Sequence, residues 1–231
     1  MGASGETFGG PAAVAIAAAA GLGSGLGLLA LYHGLAVGRM GVVAPVTGLV
    51  AAALPVLVGS VRDGLPGPTL IAGIVLALVA VTVVSRVDGV DGARSGIEFG
   101  LLAGIGLAVF NIMVGFLPDD GVFAPLVPLK TAGAVFIAGM LILNRQRWTV
   151  PRAVLPFAIA AAVLDLSGTL FYVLATQAGR LDVAVTLSSL YPVTTVILAA
   201  IVLRERLTRS HAAGIAMAGV AIVLIASGSA G

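Results

Sequence analysis

The sequence contains no cysteine, which excludes a disulfide framework, a thiolate nucleophile and a cysteine-bound metal. Charge is nearly as scarce. Asp, Glu, Lys and Arg make up 10% of the 231 residues, against about 25% in an ordinary soluble domain. So few polar groups cannot coat a water-facing surface, and a soluble globular enzyme is excluded. Disorder is excluded from the other direction, because 59% of the residues are hydrophobic and disordered chains are poor in them. The net charge is +2. The basic residues form only loose clusters, at 145–152 and 204–209, and the chain has one Trp, so nothing points to a nucleic-acid partner. HExxH, GxSxG, Walker A and paired-carboxylate patterns are all missing, so no enzyme, metal site or cofactor is expected.

What the sequence has instead is long apolar runs. A helix needs about 20 mostly apolar residues to cross the hydrocarbon core. Runs near that length lie at 12–37, 42–61, 68–85, 99–117, 126–143, 153–178, 183–203 and 212–226. Only two of them carry a charge, Lys130 in the fifth and Asp165 in the sixth. The short connections hold nearly all the rest. The expected fold is all-α, a polytopic membrane bundle with eight transmembrane helices. The runs are too long and too uniformly apolar for a porin-like barrel, whose strands alternate over about ten residues. The first run is too long, and its leader too poor in basic residues, for a signal peptide. Glycines four apart, such as Gly21 and Gly25, Gly23 and Gly27, and Gly100 and Gly104, suit close helix packing in lipid.

The chain also matches itself. At an offset of 141, residues 11–85 lie on 152–226 without a gap, and 18 of the 75 positions are identical, Gly27 with Gly168, Arg39 with Arg180 and Gly73 with Gly214 among them. Five spans begin between the two starting points. An odd number of crossings inserts the second copy from the opposite side of the membrane, the inverted repeat common among secondary transporters. The expected division is a first repeat of three helices at 1–97 and a second of five at 98–231. By this offset the counterparts of the fourth and fifth spans fall upstream of Met1. Two helices are therefore expected to be missing from the first repeat, through a late start or a truncation.

Residues 171–226 resemble the last three helices of the EamA-type transporters of the drug/metabolite transporter (DMT) superfamily. The resemblance is carried by Ala175, the Ser-Leu-Tyr-Pro run from Ser189 to Pro192, Glu205, Gly214 and Gly219. Residues 38–59 resemble the corresponding part of the first half. The resemblance implies a ten-helix, five-plus-five carrier with a central cavity. It implies a secondary transporter of a small metabolite or drug-like compound across the cytoplasmic membrane, an exporter working by alternating access. The alternative is a non-transporting remnant, or a partner subunit completing another membrane bundle. The partners implied are a small-molecule substrate and the lipid bilayer, with proton or other ion coupling and an oligomer or partner helices as further expectations.

Polar groups inside the spans are the candidate site. A charge at mid-membrane costs about 2.5–3.5 kcal/mol on insertion scales, so it usually faces a cavity or a partner. Asp165 lies mid-span, and Thr169, Tyr172 and Thr176 fall on its helix face at 3.6 residues per turn. Their first-half counterparts are Ser24, Leu28, Leu31 and Leu35, so the polar stripe is particular to the second half. Asp165 reads as a coupling or substrate-binding carboxylate, or as half of a structural ion pair. Lys130 is its candidate partner, or a residue that snorkels to the interface. Asn111 either lines the cavity or bonds across helices. Ser188 and Tyr191 share a face of the seventh span, beside Pro192, which removes a backbone hydrogen bond there. Nine of the twelve basic residues fall on the side reached after the odd-numbered spans. The positive-inside rule then puts both termini outside the cytoplasm, whereas the family resemblance puts them inside.

Overall fold

The structure, a computed structural model, describes residues 10–38, 40–62, 64–84, 96–118, 121–145, 151–179, 181–188 and 209–229. All its elements are helices: α1 (Pro11–Val37), α2 (Met40–Arg62), α3 (Pro68–Val84), α4 (Ile97–Gly115), α5 (Phe123–Leu143), α6 (Leu155–Ala178), α7 (Leu181–Ser188) and α8 (Arg209–Ser229). Helices α1, α4, α5 and α6 are each long and apolar enough to cross a membrane. The apolar residues run round every face of these helices, as expected where the solvent is lipid. The chain is a multi-pass membrane protein. Of the seventh expected span only α7 is described; the remainder, with Tyr191 and Pro192, lies outside the described residues.

Local chemistry sets the ends. Proline occupies the first turn of α1, α3 and α6, where its missing N–H costs nothing and its fixed φ suits the helix. Gly96 precedes α4 in the left-handed region at φ 67°, and Gly64 turns the chain between α2 and α3 at φ 85°. Glycine adopts this conformation without the Cβ penalty.

Helix α1 is the hub. It packs along α4 and α5 and touches α2. The contact is close because it is made of glycine. A methyl group on Gly21 would overlap the backbone carbonyl of Leu129 in α5, and one on Gly27 would come within 2.9 Å of the Leu107 amide nitrogen in α4. Helix α2 packs on α4 and α7. One core cluster joins Ala17, Ala52, Val114, Leu129, Tyr172 and Val185 from six helices.

The buried residues of a second cluster come from α3 and α8, Leu70, Ile74, Ala77 and Ala80 against Ala218, Ala221 and Ile225, with Val56 of α2 and Val183 of α7 packed against them. Ala77 and Ala80 are the counterparts of Ala218 and Ala221 at the 141-residue offset. Gly73, early in α3, meets Leu224 and Ile225 late in α8, so these counterpart helices run antiparallel. Helix α6 behaves differently from every other long helix. From Pro151 to Leu166 every residue is exposed, and only Thr169, Tyr172 and Val173 are buried.

Candidate functional site

The inner face of α6 meets the bundle at its C-terminal half. Asp165, Thr169 and Tyr172 are spaced by four and three residues, which stacks them on one helix face. Opposite them stands Lys130, seven residues after the proline-rich start of α5, whose first turns contain Pro125 and Pro128. The Lys130 Nζ lies 2.6 Å from Asp165 Oδ2 and donates a second bond to Thr169 Oγ1 at 2.7 Å. The Thr169 hydroxyl in turn donates to the Asp165 backbone carbonyl at 2.8 Å. The ammonium is therefore held by two groups of one helix. The side chains remain accessible, Lys130 at 33% and Asp165 at 65%.

Beside this triad the Tyr172 hydroxyl donates to the Asn111 backbone carbonyl at 3.3 Å. Its ring stacks on Phe110 with centroids 5.8 Å apart. The Asn111 amide donates across to the Ala51 carbonyl of α2 at 3.2 Å. Asn111 thus both bonds across helices and faces the site. Together these groups line a cavity of about 310 Å³ between α1, α4, α5, α6 and α7, which Ser188 also borders. Seven of its eleven lining residues carry a polar or charged side chain, set among Leu28, Leu107, Phe110 and Gly168, so polar groups converge on a small pocket between helices.

Asp165, Thr169, Tyr172, Asn111, Lys130 and Ser188 all border this one cavity. Tyr191 and Pro192 lie outside the described residues. Thr176, on the same stripe, bonds the Val173 carbonyl and is not among the cavity residues. The residues missed are Ser24 and Leu28 on α1, Leu107 and Phe110 on α4 and Gly168 on α6. The repeat held the signal for two of them. Ser24 and Leu28 are the 141-residue counterparts of Asp165 and Thr169, so equivalent positions from both halves face the same space. Among the described residues no group of three His, Asp or Glu side chains is placed to hold a metal.

One end of the bundle, around the turn between α4 and α5, is laced by polar contacts. Arg62, at the end of α2, donates to the Gly115 carbonyl and lies over the Phe116 ring at 5.2 Å. Gln177, near the end of α6, donates to the carbonyls of Pro118 at 3.1 Å and Gly121 at 3.0 Å. Leu181 of α7 fits against Gly115, whose missing side chain makes room for it. At the other end the first half of α6 stands away from the bundle.

The comparisons with known proteins agree with this architecture. Fourteen solved chains match the structure. One of them, a crystal structure titled only as that of a protein, aligns with 96% of this chain and 88% of its own, at a TM-score of 0.64 and 17% identity. That is a likeness of fold alone. No curated protein sequence matches the chain significantly. The model of the EamA-like transporter family matches residues 94–227, more than half of the chain. With its apolar helices and central cavity, the chain belongs to the EamA-like transporter family, membrane transporters of the DMT superfamily.

Proposed function

We propose that this protein is a secondary transporter that moves a small metabolite or drug-like compound across the cytoplasmic membrane, outward, by alternating access. The observation that carries the reading is the Lys130–Asp165 pair beside a cavity of about 310 Å³. Two opposite charges at membrane depth attract each other, less than a fully buried pair would because both side chains are accessible. A substrate or proton that engages the carboxylate weakens its hold on Lys130, so occupancy of the cavity couples to the α5–α6 contact. Substrate sites of inverted-repeat carriers lie near the midplane at the junction of the repeats. The facing of Ser24 and Asp165 across one cavity supports such a junction, and so does the antiparallel packing of α3 on α8. We take residues 1–97 and 98–231 as the two repeats. Coupling to protons or another ion would supply the driving force.

The test is Asp165→Asn in the full chain reconstituted in proteoliposomes. Efflux of fluorescent cations and labelled amino acids is followed across pH. Asn keeps the size and most of the hydrogen bonding but cannot exchange a proton. Loss of transport, or loss of its pH dependence, supports the reading. Transport unchanged at every pH removes Asp165 from the mechanism.

A second reading is favoured by the uncovered face of α6. In it the chain is a non-transporting remnant or a subunit whose bundle is completed by helices from a partner. Transport by the purified chain alone in liposomes would eliminate it.

A further inference from the structure

Helix α1 forms one wall of the central cavity through Ser24 and Leu28. It turns Gly23 and Gly27 to α4, and Gly21 and Gly25 to α5. At about 100° per residue, Ser24 and Leu28 fall in the wedge between these two contacts. The glycines bring α4 and α5 close on either side, so the Ser24 side chain enters the space between them. The Lys130–Asp165 pair borders the same space.

The Ser24 hydroxyl is uncommitted. Those of Thr47, Thr169, Thr176 and Thr186 each donate to a backbone carbonyl three or four residues back in their own helices. Ser24, half-buried, makes no hydrogen bond among the described residues. Across the cavity Asp165 gives Oδ2 to Lys130, and its Oδ1 has no partner among the described residues. One ammonium and one carboxylate line the cavity, so its charge is balanced. A solute with a net charge would bring in an uncompensated charge at membrane depth, which is costly. A hydroxyl both donates and accepts. It can donate to the Asp165 carboxylate and can meet the Ser24 hydroxyl in either sense.

We propose that Ser24 is a specificity-determining residue: its hydroxyl binds one hydroxyl of an uncharged, polyhydroxylated substrate, another hydroxyl of which donates to Asp165. This names a substrate class for the transporter proposed above and rests on that reading. Ser24 and Asp165 correspond at the 141-residue offset, so one position from each half holds the substrate.

The test measures saturable binding of labelled xylitol, D-ribose and D-glucose to the purified full chain in detergent, where no gradient acts. These neutral compounds should bind more tightly than D-glucosamine, a cation, and D-gluconate, an anion. Ser24→Ala should weaken their binding about fivefold, the worth of one hydrogen bond. Ser24→Cys, which keeps the size, should do the same. Ser24→Thr, which keeps the hydroxyl, should retain the binding. None of the three should lower the unfolding midpoint, which separates lost binding from lost fold. No binding of any neutral compound, tighter binding of a charged one, or equal binding by Ser24→Ala and the parent chain overturns the proposal. The compounds that bind are then enclosed in proteoliposomes. Binding as expected without efflux keeps Ser24 as a binding residue and removes the transport reading. Efflux indifferent to Ser24→Ala removes Ser24 and leaves the transport reading standing.

Discussion

Helices α1 and α6 are counterparts at the 141-residue offset, yet they bury opposite faces. The nine buried residues of α1 are Ala13, Ala17, Ala20, Gly21, Gly23, Gly25, Gly27, Ala30 and Gly34. Their counterparts on α6 run from Val154 through Leu164, Gly168 and Phe171 to Ala175, and every one is exposed. Conversely, the buried residues of α6 are Thr169, Tyr172 and Val173, and their counterparts Leu28, Leu31 and Tyr32 are half-buried or exposed on α1. Two helices of related sequence position have taken different neighbours. Helix α1 is pressed between α4 and α5, and its small residues let their backbones approach. Helix α6 has no such pair beside it among the described residues. Its counterpart face carries Leu164, Leu166 and Phe171 where α1 has Gly23, Gly25 and Ala30. The difference teaches that the glycines of α1 admit neighbouring backbones, while the same register on α6, without that contact, accepts large side chains at Leu164 and Leu166 and keeps a glycine, Gly168, that touches nothing.

The sharpest way to break this comparison is to add one methyl group to each helix. In Gly21→Ala the new Cβ would overlap the Leu129 carbonyl, and backbone cannot step aside as a side chain can. A loss of about 3 kcal/mol is expected, at the upper end for overpacking. It would be read as a lower midpoint of unfolding in mixed detergent micelles. Gly168→Ala on α6 meets open space and should be neutral or slightly stabilising, since alanine favours helix over glycine by about 1 kcal/mol. Equal losses at the two sites would mean that α6 is covered in solution as α1 is.

The second test addresses the join between the two regions, since Lys130 reaches α6 from the α1–α4–α5 body. Lys130→Met leaves the Asp165 carboxylate without its cation, and a loss of about 1–3 kcal/mol is expected, below the figure for a fully buried pair because both side chains are accessible. Asp165→Leu added to it should restore most of the loss, because an apolar pair needs no compensation in lipid. The double-mutant cycle measures the coupling directly, and additive losses would show that the pair does not hold α5 to α6. A smaller effect is expected for Tyr172→Phe, which removes one hydrogen bond to the Asn111 carbonyl and keeps the stacking on Phe110. About 1 kcal/mol is the usual net worth of such a bond, and the same unfolding assay reads it.

Much of this was legible in the residues, and the limits have physical causes. Helix positions could be read because lipid leaves the backbone no partner but itself, so span length is fixed by membrane thickness. The stripe of Asp165, Thr169 and Tyr172 could be read because helix geometry alone places them together. Lys130 was ambiguous, since a long side chain near a helix start can reach the interface as easily as a partner. Only the position of α6, which brings Asp165 and Thr169 within hydrogen-bond reach of its ammonium, decides between them. Ser24 and Leu28 went unnoticed as cavity residues because nothing in their chemistry singles them out. Their place follows from the repeat, which sets both halves around one space.

The smallest expected effect is the most telling for the outer face of α6. Leu164 and Phe171 are among the most exposed large side chains described, at 72% and 68%. Leu164→Ala and Phe171→Ala should each change the stability of the isolated chain by no more than about 0.5 kcal/mol, the usual range for surface positions. In lipid such a face has no desolvation to gain, because hydrocarbon chains solvate leucine as well as another helix does. Buried Leu→Ala and Phe→Ala changes cost about 2–5 kcal/mol, so the two cases are well separated. The measurement should then be repeated on the chain in native membrane fragments, where any further helices keep their places. A small change in both settings identifies the face as lipid-facing. A small change in detergent and a large one in the membrane would mean that helices from elsewhere cover α6 as α4 and α5 cover α1. It would restore the symmetry that the isolated chain lacks.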